Sequence, residues 1–215
     1  MATRSERSGL RPIHVPTLVW VLVALCVGVE AILQASDRGL LDTRALRFWA
    51  YDLGGFRPKL LIFERARFPG QTGTMFVTYT FLHGGLLHLG VNMVTLLSLG
   101  AAVVRASGRL KFFEIFMGSS IGGAIFYAFF PGAGVVMVGA SGGLFGLAGA
   151  LIVWEILFRV ERRMPLGPVL ASVAILTALN GALWLFLEGQ LAWQGHLGGF
   201  LVGAALALSG VRARS

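Results

Sequence analysis

The chain alternates long apolar runs with short charged segments, and the run lengths set its first description. The runs extend from Thr17 to Leu33, Gly84 to Val104, Phe112 to Phe130, Ser141 to Phe158, Pro168 to Leu187 and Gln194 to Val211. Each is roughly 20 residues long, which at about 1.5 Å per helical residue matches a hydrocarbon core about 30 Å thick. The pattern predicts an all-α membrane protein, a six-helix transmembrane bundle forming one domain over residues 1–215. A longer, mixed segment at 34–80 separates the first two runs, and residues 84–211 carry the other five.

Charge orients these elements. Arg4, Arg7 and Arg11 precede the first run, Arg105, Arg109 and Lys111 separate the second and third, Arg159, Arg162 and Arg163 follow the fourth, and Arg212 and Arg214 end the chain. Basic residues flanking short loops mark the cytoplasmic side, so both termini, including residues 1–16, are expected in the cytoplasm. Segment 34–80 then falls outside despite seven Lys and Arg, which a long loop tolerates. Its Trp49, Tyr51 and Phe56 beside Arg47 and Arg57 predict a structure at the membrane interface.

Composition agrees with lipid: 56% of residues are hydrophobic and the mean hydropathy is +0.77, far from a soluble domain of this size. The net charge of +8 would suit nucleic acid, but the cations sit in short clusters with no interleaved aromatic platform, so membrane lipid is the expected partner. Cys26 is the only cysteine, which excludes an internal disulfide and disfavours thiolate chemistry. The first run carries Glu30 and is followed by no small-x-small site, so it reads as an uncleaved span; with no transit-peptide pattern, a bacterial inner membrane is expected. Among 30 glycines, Gly118 with Gly122, Gly142 with Gly146 and Gly149, and Gly195 with Gly199 and Gly203 recur at helical spacing, which lets helices approach closely in lipid.

Polar side chains within spans are costly and are therefore site candidates. Counted back from the arginines at the inner ends, Ser141 lies about 27 Å outward, His196 about 24 Å, and His88 and Asn92 about 26 and 20 Å. Three helices thus bring polar groups to one level in the outer part of the membrane. The preceding run PGAGVVMVGA, Pro131 to Ala140, is broken by glycine and proline, as a loop dipping into the membrane would be, and such backbone needs a hydrated or protein-lined cavity. Ser141 would then stand at a helix N-terminus, where free N–H groups favour an oxyanion.

His196 shares a face with Gly199 and Gly203, so span six can press against span four and bring the imidazole to the Ser141 hydroxyl, which needs a base to become a nucleophile. His88 and Asn92, four residues apart, face one way and can donate to an oxyanion. Asp37, Asp42 and Asp52 all lie in the first loop, so a Ser/His dyad is expected rather than a triad. Taken singly, Ser141 could cap its helix, His196 could bond a carbonyl, and His88 with Asn92 could glue two helices. No carboxylate or thiolate shares their level to complete a metal shell, and no cofactor is expected. His83 lies above the others and reads as structural, His14 as solvated, and Glu155 with Arg159 and Glu114 with Lys111 as paired helix-end charges.

Three motifs carry a family resemblance: FLHGGLLHLGVNM at Phe81 to Met93, GASGG at Gly139 to Gly143, and His196 with Gly199 and Gly203 in HLGGFLVG. In this order, on alternate spans, they closely resemble the signatures of rhomboid intramembrane proteases. The resemblance implies Ser141 as nucleophile, His196 as general base and acid, and an oxyanion hole from His88, Asn92 and the Ser141 backbone N–H. It implies structural support from Gly139, Gly142, Gly199, Gly203 and His83, and Phe145 where the family often stacks a tyrosine on the histidine. Gly195 stands where many members have alanine, and Arg47, Phe48 and Trp49 stand in for a Trp-Arg pair. Implied substrates are transmembrane segments of other membrane proteins. The alternative is an inactive rhomboid-like protein that binds membrane clients, against which the presence of both Ser141 and His196 argues. A transporter would spread its polar residues through the membrane depth.

Overall fold

The computed structural model describes residues 15–43, 45–130 and 136–209. Its helices in chain order are α1 (Thr17–Asp37), α2 (Leu46–Gly54), α3 (Gln71–Thr78), α4 (Leu86–Ser107), α5 (Arg109–Ala128), α6 (Ser141–Glu161), α7 (Gly167–Phe186) and α8 (Trp193–Ser209). Every apolar run expected from the sequence is helical over most of its length. Four of these helices, α1, α4, α6 and α7, are long and apolar enough to cross a membrane. α5 opens on Arg109, Lys111 and Glu114, and α8 has 17 residues. No strand is formed among the described residues beyond a single bridge between Phe56 and Met137.

Glycine sets two of the boundaries. Gly85 has φ +122° and Gly108 φ +86°, conformations that a side chain resists. α4 therefore starts at Leu86, two residues inside the apolar run, and stops at Ser107. Gly108 serves both as its last cap and as the first cap of α5, which consequently begins three residues earlier than hydropathy alone indicates.

α5, α6 and α8 form the tightest part of the bundle, and the glycines are the reason. A Cβ on Gly199 would collide with the Gly142 carbonyl oxygen, one on Gly203 with that of Gly146, and one on Gly149 with that of Phe200. On the other side, a Cβ on Gly123 would stand 2.6 Å from the Gly195 carbonyl oxygen. Helices in lipid gain little from apolar burial against each other, so backbone-to-backbone contact of this kind supplies the dispersion that holds them. α1 leans on α4, with Val19 against Gly100, and both share a core with Leu96, Phe112, Phe116 and Leu147. α7 differs: Val169 near its N-terminus is its only buried residue.

Segment 34–80 is folded onto the bundle. Phe56, Leu60, Met75 and Tyr79 join Tyr127 and Met137 in a second core, while Phe48 and Trp49 on α2 point outward, 62% and 49% exposed. Arg57 pairs with Asp52 and Glu64, and Arg67 with Asp52 at 2.8 Å. The expected helix-end pairs are present, Lys111 with Glu114 at 3.1 Å and Arg159 with Glu155 at 2.6 Å. His14, the arginines at 4, 7, 11, 212 and 214, and the first half of the expected dipping loop, 131–135, lie outside the described residues.

Candidate active site

α6 begins at Ser141, with no side-chain cap on its first turn. The backbone N–H groups of residues 141–143 at that turn therefore have no partner within the helix. Just before it, the chain is fixed by three backbone bonds: Phe56 and Met137 exchange two at 2.9 Å, and the Gly139 N–H donates to the Tyr79 carbonyl at 2.9 Å. Tyr79 is anchored in turn, its hydroxyl donating to the Ser120 carbonyl at 2.7 Å. The folded first loop thus clamps the approach to Ser141 against α5.

His196, on α8, stands 2.8 Å from Ser141, Nε2 to Oγ. The glycine contacts between α6 and α8 make this approach possible, because any side chain at Gly199 would wedge the helices apart one turn below the imidazole. The ring is 7% exposed and lies flat on Phe145, centroids 4.3 Å apart and planes at 9°. That stack restricts the ring to rotation in its own plane. The second nitrogen, Nδ1, lies 2.7 Å from Oδ1 of Asn180 on α7.

His88 reaches the same place from α4. The Gly84 N–H donates to its Nδ1 at 3.2 Å, which leaves the proton on Nε2 and makes that atom a donor. Gly139 lies directly against it: a Cβ there would be 2.9 Å from His88 Nε2 and 3.9 Å from Ser141 Oγ. With φ +124° besides, position 139 admits only glycine without strain. Asn92, one turn further along α4 and 4% exposed, donates through Nδ2 to the His88 carbonyl at 2.8 Å, and its Oδ1 has no partner among the described residues.

His83 is fully buried, edge-on to His88 with ring centroids 5.3 Å apart. Its carbonyl accepts from Tyr51 Oη at 2.6 Å and from Arg47 Nη1 at 3.0 Å. Arg47 in turn forks onto Glu30 at 2.8 and 3.2 Å and reaches Asp37 at 2.7 Å. The Glu30 bond above all holds the guanidinium protonated more firmly than usual. Burial, aided by repulsion from His88, pushes the His83 imidazole down to about 4, so it is neutral at ordinary pH.

Ser141, His196 and His88 are thus brought together from three helices, with Asn92 one turn beyond His88 on α4. Gly139, Gly142, Gly199 and Gly203 each occupy a position that a Cβ would disturb. Sequence reasoning missed Asn180. The signal existed: counted from the start of α7 at Gly167, Asn180 sits about 20 Å along the helix, the depth expected for the other polar groups if Gly167 is the inner end, and it is the one amide in that helix.

The rhomboid domain model matches residues 71–213. The chain is 31% identical over 137 residues to the Rhomboid-type serine protease 2 of Emericella nidulans, covering 64% of this chain and 27% of that protein. It is 32% identical over 137 residues to RHOMBOID-like protein 4 of Arabidopsis thaliana, with 64% and 34% covered. To the Rhomboid protease GluP of Bacillus subtilis it is 33% identical over 134 residues, with 61% and 25% covered. The chain therefore spans about a third or less of the length of these relatives. With a domain match over more than half its residues, containing all three motifs, and with four helices fit to cross a membrane, this chain is an integral membrane protein and belongs to the rhomboid family.

Proposed function

We propose that the chain is an intramembrane serine endopeptidase that cuts transmembrane segments of other membrane proteins. The observation that carries the reading is the 2.8 Å separation of His196 Nε2 from Ser141 Oγ at the uncapped start of α6. In this reading Nε2 accepts the serine proton as Oγ attacks the scissile carbonyl. The resulting oxyanion accepts hydrogen bonds from the Ser141 N–H, from His88 Nε2–H and from the Asn92 amide, whose second N–H is not used by the His88 carbonyl. His196 then protonates the departing amine, and water deprotonated by the same nitrogen releases the acyl group. Loss of one oxyanion donor raises such a barrier by about 2.7 to 4 kcal/mol.

The same reading takes all six long helices as spans, with both termini cytoplasmic, the first loop and site on the outer side, and residues 1–215 as one domain. The chemistry calls on no metal and no cofactor; the partners are membrane protein substrates and lipid, with no role for nucleic acid, and the membrane is a bacterial inner membrane. The test is labelling of detergent-solubilised protein with a fluorophosphonate probe, alongside cleavage of a transmembrane reporter. Wild type should react in both assays, and Ser141→Ala and His196→Ala in neither. A well-folded wild type that is never labelled overturns the peptidase reading in favour of client binding.

A further inference from the structure

We infer that Asn180 is a positioning residue for the catalytic base, fixing which nitrogen of His196 carries the proton. The inference rests on the reading of Ser141 and His196 as the reacting pair. A serine proton can be taken only by an imidazole nitrogen that has a free lone pair. If Nε2 is to face the Ser141 hydroxyl as an acceptor, the proton of the neutral ring must sit on Nδ1, and something must accept from it there. Asn180 Oδ1 stands 2.7 Å from Nδ1. An amide oxygen only accepts, so it favours the tautomer with hydrogen on Nδ1 and leaves Nε2, 2.8 Å from Oγ, free to take the proton. Once the proton has transferred, the same oxygen faces the positive ring with the negative end of the amide dipole.

The setting of Asn180 points to this role rather than to packing. α7 has one buried residue, Val169, near its N-terminus. Leu179 is 58% exposed, and a Cβ on Gly181 would touch nothing within 4 Å. Among the described residues, the bond to His196 is the one side-chain hydrogen bond from α7 to another helix. An amide in such a helix is costly in lipid unless its polar atoms are used. His196, 7% exposed, has little access to water that could replace Asn180. The phenyl ring of Phe145 holds the imidazole plane but cannot choose between its tautomers, so that choice falls to Asn180.

The test is a nitrogen-15 spectrum of the full chain labelled at histidine in detergent, with His196→Gln used to assign the His196 signals. Wild type should show His196 with its proton on Nδ1. Asn180→Ala should show a mixture or a reversal, and Asn180→Asp, which keeps an acceptor oxygen, should restore the wild-type pattern. In reporter cleavage, Asn180→Ala should lower kcat about tenfold, the worth of one hydrogen bond, with KM within about twofold by the same reasoning, and Asn180→Asp should recover most of the loss. A wild-type tautomer pattern in Asn180→Ala overturns the inference, even if activity falls. A wild type that fails to react with fluorophosphonate overturns the peptidase reading, while the tautomer comparison still decides the role of Asn180.

Discussion

Removing the guanidinium of Arg47 should unfold more than a surface ion pair would, and the structure says by how much. Glu30 lies on α1 with its side chain fully closed to solvent, whereas that of Arg47 is 21% exposed. Arg47→Ala leaves the carboxylate buried with, among the described residues, only the Gln34 amide, at 2.9 Å, as a donor. Breaking a buried pair from the side that strands a charge costs about 3 to 5 kcal/mol. At roughly 2 to 4 °C per kcal/mol for a chain of this size, the melting midpoint should fall by roughly 10 °C. Glu30→Gln strands nothing comparable, since Arg47 keeps Asp37 and the His83 carbonyl, and should cost about 1 kcal/mol. The double variant should therefore be more stable than Arg47→Ala alone, because the stranded charge is gone. Intrinsic tryptophan fluorescence in a fixed detergent, at one scan rate, measures all four proteins. If Arg47→Ala melts within 2 °C of wild type, or if the double variant is no better than Arg47→Ala, Glu30 is solvated and the reasoning is wrong.

Two further outcomes follow from particular contacts. Gly199→Ala should destabilise by at least the 1 to 3 kcal/mol of ordinary overpacking and slow fluorophosphonate labelling sharply, because the new methyl meets the Gly142 backbone rather than a movable side chain; Gly73→Ala, on α3 with open space around it, should leave labelling unchanged and cost no stability, since alanine is the better helix former by up to about 1 kcal/mol. His83, held at about 4 against an ordinary 6.5, binds fewer protons folded than unfolded, so stability should be intact above pH 6.5 and decline as pH falls toward 4, by about 3 kcal/mol in all. Melting midpoints from pH 7.5 to 4.5 should fall less steeply for His83→Gln than for wild type, and equal slopes would sink the argument.

The helices and most of the site were legible because lipid makes polar residues conspicuous. Ser141, His196, His88 and Asn92 stood out as polar groups in largely apolar runs, and a helical rise turned their positions into a shared depth. The glycine spacing similarly foretold that α6 and α8 touch, since small residues at offsets of three, four and seven have few other uses in lipid. The first loop resisted such reading. Its order comes from pairings between residues far apart in sequence, Phe56 with Met137, Tyr79 with Ser120, and Arg47 with Glu30 and His83. Neither periodicity nor hydropathy encodes those partners.

Asn180 escaped for a different reason, which bears on how the site is held. Depth was reckoned from arginines at the ends expected to be inner, on helices expected to run inward, and α7 is expected to run the other way with no cation in its first turn. Its attachment is also unlike that of its neighbours: α8 is locked to α5 and α6 by glycine backbone contacts, while α7 is nearly bare. On the proposed reading, the reacting pair is therefore built on the closely packed part of the bundle, and the amide inferred to orient its base comes from a helix with one buried residue. A hydrogen bond of 2.7 Å is lost with a shift of about an ångström, which hardly disturbs a helix with one buried residue. If Asn180 has the role inferred for it, the orientation of His196 for proton transfer thus depends on where α7 sits.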